Sequence, residues 1–361
     1  MRRILSLAIM LPVTVALLCA IVGIVGFEET VRQVRQAGAG AFLSVGVLTA
    51  LVVAAQAAAW DFLNRPIGHR VRFVTLVAGV VVGQAGNIVT PSTYLGGEPF
   101  RVAYVVKMAG LPAHEVAGAV LLCKYLEFVS FMLLFAFSAL VAAVEYRGVL
   151  FVPPNVVGGA AILVAAGLMV GSAALLWLSL WRRWRPLTQI VSALGLIRPL
   201  RRRVVRLRRR AAAMEDQVSR TFCEEGGVSL AAFGAMVVTH AAVFAKPLAF
   251  FFLGWHLRLS LGELCLIFAA GQLLLAVQLT PSGVGMLDGG LIGTFALLGM
   301  DSASHAAMCM AYLLCLRLWD AVMIGAGAFL AARIGTRLIT TKVIPPPSIV
   351  GDAQSESEAG P

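Results

Sequence analysis

Long apolar stretches separated by short polar ones dominate the chain. Six of them run without interruption over residues 4–26, 39–60, 115–144, 156–181, 228–254 and 304–332. Each reaches or exceeds the roughly 20 residues that a helix needs to cross a bilayer. Because the short alternating pattern of membrane barrel strands is absent, we predict spans that are helical.

Two further apolar segments, 71–110 and 261–299, are broken in the middle by glycine, proline and polar residues. The first break reads TPSTYLGGEPFR over residues 90–101, and the second begins with TPSGVG at residue 280. Non-helical backbone at membrane depth is tolerated only where it is buried in protein or lines a cavity. We therefore predict a broken-helix hairpin in each segment, with an interior space beside it.

Composition supports an integral membrane protein. The chain has 361 residues, of which 60% are hydrophobic and 13% are charged, and its mean hydropathy of +0.89 excludes a soluble globular domain. The first 26 residues are expected to be an uncleaved span, since the apolar run is long and lacks a small-x-small exit; a cleaved signal peptide is the alternative. The six cysteines show no CxxC spacing, so neither a disulfide framework nor a zinc site is expected.

The net charge of +11 is concentrated in one loop. Residues 182–210 hold eleven arginines and no acid, which predicts a cytoplasmic loop. The charge bias of the remaining loops then favours six full spans plus two oppositely oriented re-entrant hairpins, with both termini cytoplasmic. A count of eight spans with tilted broken helices is the alternative.

The arginine-rich loop also carries an apolar periodicity with steps of three and four. The residues concerned are Leu200, Val204, Leu207, Ala211, Met214 and Val218. This pattern predicts an amphipathic helix on the inner leaflet, and a loop that only determines topology is the alternative. Nucleic acid is not expected as a partner, because no aromatic or groove-reading module accompanies the charge.

Residues 345–361 are predicted to be a disordered cytoplasmic tail after one transmembrane domain over 1–344.

The two broken segments resemble one another. Thr90-Pro91-Ser92 recurs as Thr280-Pro281-Ser282, and an acid follows each proline by seven residues, as Glu98 and as Asp288. The following full span carries a basic-x-x-acidic pair in each copy, Lys124 with Glu127 and Arg317 with Asp320. These partners share a helix face.

The order of these features predicts an inverted repeat over about 39–144 and 228–332, separated by the loop 182–227. Inverted-repeat transporters bind substrate near the midplane, where their broken helices meet. A duplicated structural hairpin without a substrate is the alternative.

The breaks suggest a site for an anionic group. Glycines and the first N–H groups of a half-helix that begins near Glu98 suit a phosphate, and Arg101 adds a cation one turn later. Arg101 has no counterpart in the second copy, where Leu291 stands.

Lys246 and His240 are candidates to face the same cavity. For Lys246 the alternative is that its side chain snorkels outward to the membrane surface. Several amides, Gln84, Asn87, Gln272 and Gln278, are expected to satisfy the broken backbone rather than to bind substrate.

The candidate substrate-binding residues are polar, charged or glycine residues of the two copies. They are Thr90, Ser92, Gly96, Gly97, Glu98, Arg101, Lys124, Thr280, Ser282, Gly283, Gly285, Asp288 and Arg317. Glu127 and Asp320 are assigned to structural ion pairs, and mutual neutralisation is equally open for their partners Lys124 and Arg317. We expect no catalytic residue, no metal and no cofactor.

The two motifs resemble the signatures of the lysylphosphatidylglycerol synthase transmembrane region family, also called flippase-like membrane proteins. The first is Thr90-Pro91 with Gly96-Gly97-Glu98-Pro99 and Arg101, and the second is Thr280-Pro281-Ser282-Gly283-Val284-Gly285 with Asp288. The resemblance implies an integral membrane protein that moves, or assists the synthesis of, lipids and lipid-linked molecules.

The chain departs from the family pattern in three places. Asp288 stands where a glutamate is usual, and Cys123-Lys124 stands where Glu-Arg is usual. The soluble aminoacyl-transferring domain of the full-length synthases is not expected, since residues beyond 345 are too few and too polar to fold.

These inferences together predict a lipid or lipid-linked translocase, or an accessory of lipid biosynthesis, in a bacterial-type plasma membrane. Anionic or lipid-linked membrane lipids are the expected partners, with a lipid-synthesising protein as a further one. Two alternatives are an intramembrane enzyme that uses Glu98 or Asp288 as acid or base, and a scaffold for a lipid-synthesising partner.

Overall fold

The protein is an all-helical, multi-pass membrane protein over the residues that the computed structural model describes. These are residues 26–66, 68, 70–90, 96–153, 155–194, 201–276, 283, 285–300 and 302–341. The helices in this part of the chain are α1 (Phe27–Asn64), α2 (Phe73–Val89), α3 (Glu98–Ala109), α4 (Ala113–Glu145), α5 (Arg147–Leu150), α6 (Val156–Trp181), α7 (Pro186–Leu194), α8 (Arg201–Glu224), α9 (Gly226–Trp255), α10 (Leu261–Ala276), α11 (Met286–Leu297) and α12 (Ala303–Thr341).

Five of the described helices, α1, α4, α6, α9 and α12, are long and apolar enough to cross a membrane. They confirm five of the six predicted full spans, and the sixth, 4–26, lies outside the described residues. The predicted tail 345–361 also lies outside them.

The first described span starts earlier than predicted. The polar stretch 27–38, which precedes the predicted span 39–60, is helical up to a kink at Gly38, where φ is 71° and ψ is 170°. The Thr30 hydroxyl bonds to the Gly26 carbonyl at 2.8 Å, and Glu28 and Glu29 lie in the first turn. Carboxylates in that position interact favourably with the helix dipole, which explains why a charged segment is helical here.

Both broken segments are pairs of short helices with a break between them, α2 with α3 and α10 with α11. In the first pair the arms approach so closely that a Cβ on Gly97 would lie 1.8 Å from the Gly83 carbonyl oxygen. In the second pair, Gly283 and Gly285 have φ values of 65° and 89°, which favour glycine.

The central helices α1 and α9 pack against each other in an antiparallel arrangement. Near the start of α1, the Trp255 indole N–H donates to Gln33 Oε1 at 2.9 Å. Near its end, Trp60 shares a buried cluster with Met236 from the first half of α9. Because α1 precedes the first broken segment and α9 precedes the second, their antiparallel packing places the two repeats in opposite directions.

The first arms of the two hairpins are exchanged between the repeats. Helix α2 packs along α12, the last helix of the other repeat, and α10 packs along α4 in the same way. A Cβ on Gly327 would meet the Cβ of Ala85 at 2.4 Å, and the rings of Phe131 and Phe268 lie 6.5 Å apart. This reciprocal packing is that of a pseudo-twofold axis between the repeats.

The arginine-rich region forms two helices, α7 and α8, against the bundle. The Thr188 backbone N–H donates to Glu215 Oε2 at 3.0 Å and so joins α7 to α8. The Gln217 side chain donates to the Glu115 carbonyl of α4 at 3.2 Å. Of the predicted apolar stripe, Ala211 and Val218 are buried in these contacts, so this part of α8 is packed on protein.

Candidate functional site

The first hairpin is tied to the span that follows it by a buried cluster of charges. Lys124 Nζ lies 2.8 Å from Glu98 Oε1 and 2.8 Å from Glu127 Oε2. All three side chains are between 8% and 13% exposed. We call Glu98, Lys124 and Glu127 the first triad; it joins the start of α3 to the middle of α4.

The second hairpin carries an equivalent cluster. Arg317 Nη2 lies 2.9 Å from Asp288 Oδ1, and Arg317 Nη1 lies 3.3 Å from Asp320 Oδ2. Asp288 is fully buried, and its second oxygen accepts a hydrogen bond from the Gly285 backbone N–H at 2.8 Å. Asp288, Arg317 and Asp320 form the second triad, which joins the start of α11 to α12.

The two triads have the same order, an acid on the half-helix, a base on the next span and a second acid one turn later. A base at this depth that bridges two acids offsets part of the cost of burying each charge. The structure therefore brings together the acids and bases that the sequence grouped by spacing. Whether they also contact a ligand stays a prediction.

Arg101 lies beside the first triad but contacts mainly an aromatic ring. Its guanidinium carbon is 4.3 Å from the centre of the Trp60 ring, and its Nη1 is 3.7 Å from Glu98 Oε2. The side chain is 2% exposed, and among the described residues its Nε and Nη2 atoms have no hydrogen-bond partner. The stacking is a cation–π contact in a desolvated place.

The described residues at the hairpin breaks serve the backbone. Asn87 Oδ1 accepts a hydrogen bond from the Gly97 N–H at 2.7 Å, as expected of an amide beside a broken helix. The Thr90 hydroxyl donates to the Gly86 carbonyl at 2.8 Å, and Gly96 lies in the turn before α3. Three predicted site residues, Ser92, Thr280 and Ser282, lie outside the described residues, as does Gln278.

A cavity of about 190 Å³ lies between the repeats. It is lined by residues of α1, α2, α4, α9, α10 and α12. The polar ones are Thr49, Gln56, Gln84, Asn87, Glu127, Thr239, His240, Lys246, Gln272 and Asp320. At about 30 Å³ per water, this central cavity has room for roughly six waters or a small head group. One acid from each triad, Glu127 and Asp320, reaches it.

Three of the four lining residues of α1 have an equivalent lining residue on α9. Thr49 pairs with Thr239, Val53 with Val243, and Gln56 with Lys246. Each pair is separated by 190 residues, the same distance along the chain that separates Glu98 from Asp288. The central cavity therefore lies on the pseudo-twofold axis.

Three polar groups of the cavity differ in how they are held. Gln84 Nε2 donates to Gln56 Oε1 at 3.0 Å, and His240 Nδ1 lies 2.7 Å from the Ser130 hydroxyl and 3.0 Å from the Met236 carbonyl. Among the described residues, Lys246 interacts electrostatically with Asp320 across the cavity. Lys246 and His240 face the central cavity, which was one of two interpretations of the sequence.

Thr49, Gln56 and Thr239 are absent from the predicted site. The sequence signal that could have found them is the separation of 190 residues between equivalent positions of the two repeats. Three such matches inside long apolar helices do not identify cavity residues unless the two hairpins have first been aligned.

Comparison with known proteins gives one family. The model of the lysylphosphatidylglycerol synthase TM region matches residues 3–325. A UPF0104 membrane protein of Methanocaldococcus jannaschii is 24% identical over 124 residues, which are 34% of this chain and 37% of that protein. The match thus spans little more than a third of the relative's length. No solved structure matches the chain.

Proposed function

The chain belongs to the lysylphosphatidylglycerol synthase TM region family, and from that premise we propose that it translocates a lipid or lipid-linked molecule across a plasma membrane. The observation that carries the proposal is the central cavity, which lies on the axis between two inverted repeats. Transporters built from inverted repeats bind substrate at that place and expose it alternately to the two sides. An anionic head group suits the cavity, since Lys246 and His240 line it.

The exchanged packing supports an alternating mechanism. Each hairpin is linked to its own repeat by a triad and to the other repeat by its first arm, α2 or α10. Sliding α2 along α12 would open the central cavity towards one side, and sliding α10 along α4 would open it towards the other. In this proposal the triads keep each half-helix attached to its span during the movement.

The contacts of Glu98 and Asp288 favour translocation over chemistry on a lipid. Glu98 is bound to Lys124, and Asp288 is bound to Arg317 and to the Gly285 N–H. A general acid or base must exchange a proton with substrate, and a carboxylate fixed by a cation is poorly suited to that role. We therefore propose a protein that moves lipid without modifying it.

Transport can be measured in proteoliposomes that contain a fluorescent lipid, by chemical bleaching of the label in the outer leaflet. We expect the purified protein to expose inner-leaflet label faster than protein-free liposomes do. Glu127→Gln and Asp320→Asn keep the shape of the cavity wall but remove one charge each, and each should slow exposure about tenfold or more.

The matched control is Arg65→Ala, which removes an exposed ion pair with Asp61 and should leave transport unchanged. Equal rates with and without the protein would refute translocation. A modified lipid formed by the protein in detergent, where no leaflets exist, would establish the enzymatic alternative.

A further inference from the structure

A second cavity of about 150 Å³ adjoins the central cavity. It lies among α9, α10, α11 and α12 and is lined by apolar side chains that include Phe244, Ile267, Leu275, Leu287 and Leu291. Val243, Lys246 and Gln272 line both cavities. We call this second space the apolar cavity.

The apolar cavity is suited to hydrocarbon. Most of its lining side chains offer water no hydrogen-bond partner, and spaces with such walls take up small apolar groups. Leu291, one of its lining residues, stands where the first repeat has Arg101 stacked on Trp60. Because leucine is shorter than arginine, the space is available on the side of the second repeat.

Lys246 lies at the junction of the two cavities. The acids that face the central cavity with it, Glu127 and Asp320, are each bound to the base of a triad. The equivalent position in the first repeat holds the neutral Gln56, which is hydrogen-bonded to Gln84. An ammonium group at this depth is costly unless an anion or water meets it.

We propose that Lys246 and the apolar cavity form one site for a lipid that carries a phosphate. The phosphate lies in the central cavity on the Lys246 ammonium group, and a hydrocarbon chain lies in the apolar cavity. This inference rests on the proposed function and deepens it by naming the residue that recognises the phosphate and the cavity that takes the hydrocarbon chain. A phospholipid and a polyprenyl phosphate share this chemistry.

The charge on Lys246 is tested by native mass spectrometry of the purified protein with added lipid. The probes are phosphatidylglycerol, a polyprenyl phosphate and, as a neutral lipid, diacylglycerol. We expect both phosphate lipids to bind better than diacylglycerol. The phosphate lipid that binds more strongly shows whether a phospholipid or a polyprenyl phosphate is the preferred ligand.

Lys246→Gln introduces the residue type that the first repeat has at the equivalent position. It should weaken binding of the phosphate lipid about tenfold or more. Lys246→Arg keeps the charge and should retain most of the binding.

The apolar cavity is tested separately by filling it. A Cβ on Gly271 would meet Leu291 at 3.6 Å and Leu287 at 3.9 Å, which are ordinary contacts, so Gly271→Val occupies the space without a clash of its Cβ. This variant should weaken binding of the chain-bearing lipid but leave binding of glycerol phosphate unchanged. The matched control is Gly289→Ala, whose Cβ would have nothing within 4 Å.

Phosphate-lipid binding that is the same in the wild type and Lys246→Gln would overturn the site. Binding that survives Gly271→Val would overturn the placement of the chain. The outcomes for transport are distinct: lipid binding that depends on Lys246 without transport in proteoliposomes supports this site and refutes translocation. Transport that is unaffected by Lys246→Gln refutes this site and leaves translocation standing.

Discussion

Gly97 sets how closely the two arms of the first hairpin approach. We expect Gly97→Ala to destabilise the protein, because its Cβ would fall 1.8 Å from the Gly83 carbonyl oxygen, which is backbone and cannot rotate away. Overpacking of this kind costs about 1–3 kcal/mol. Thermal unfolding in detergent should show a lower Tm and, at a temperature where the wild type is folded, a loss of transport.

Gly289→Ala is the control at the residue scale, since the added Cβ on α11 meets nothing within 4 Å. Alanine is favoured over glycine inside a helix by about 1 kcal/mol, so the Tm of this variant should stay the same or rise. An unchanged Tm in Gly97→Ala would contradict the close approach of the arms.

Sequence reasoning at this scale succeeded where partners are near in the chain. Lys124 with Glu127 and Arg317 with Asp320 are three residues apart, so helical spacing alone predicts each pair. The contact of Arg101 with Trp60 was not predicted, because the two residues lie on different helices and nothing in an apolar segment marks which ring faces a cation.

The antiparallel packing of α1 and α9 can be tested by a cross-link at the scale of the elements. A Cβ on Gly254 would lie 3.4 Å from the Cβ of Ala37, close to the usual spacing in a disulfide of about 3.5–4.5 Å. Ala37→Cys with Gly254→Cys should therefore form a disulfide on mild oxidation. A mobility shift on a gel that reducing agent reverses would measure it.

The control pairs Ala37→Cys with Gly234→Cys, near the other end of α9. At about 1.5 Å per residue, the two ends are about 30 Å apart, so this pair should not cross-link. Both experiments use a background with Cys223→Ser, because Cys223 is exposed whereas the other described cysteines are buried. Cross-linking in the control pair and not in the first would indicate parallel helices.

The boundaries of the elements were only partly predictable. Hydropathy located the spans, but it began the first described one at residue 39, because the polar helical stretch before that residue has the composition of a loop. The nine-residue α7 was not predicted as a helix. It has too few turns to show a clear apolar periodicity, and it follows a stretch of tryptophan, arginine and proline. Its position depends instead on the contact of Thr188 with Glu215.

At the scale of the whole molecule, opposite repeats predict loops on opposite sides of the membrane. Arg70 precedes α2 and Arg258 precedes α10, and both are exposed. In the Cys223→Ser background, Arg70→Cys should react with a membrane-impermeant thiol reagent from the cytoplasmic side, and Arg258→Cys from the other side. Labelling in inverted and right-side-out membrane vesicles measures this.

Labelling of both positions from one side would contradict opposite orientation of the two hairpins. Detergent-solubilised protein is the control, since both cysteines should then react equally. The inverted arrangement was predicted from the repeated acids and base-acid pairs, and an interior space was predicted from the helix breaks, but most of the residues that line the central cavity were not. Its walls combine six helices whose relative rotation no local pattern specifies.

The exchange of hairpin arms has a consequence for how the molecule is held together. Because α2 completes its packing on α12 and α10 on α4, neither half encloses its own hairpin. In this respect the chain resembles two interlocked subunits fused end to end, and the stretch that contains α5 to α8 connects them. A force that moves one hairpin outward must act on the last helix of the opposite half, so the two hairpins cannot move independently.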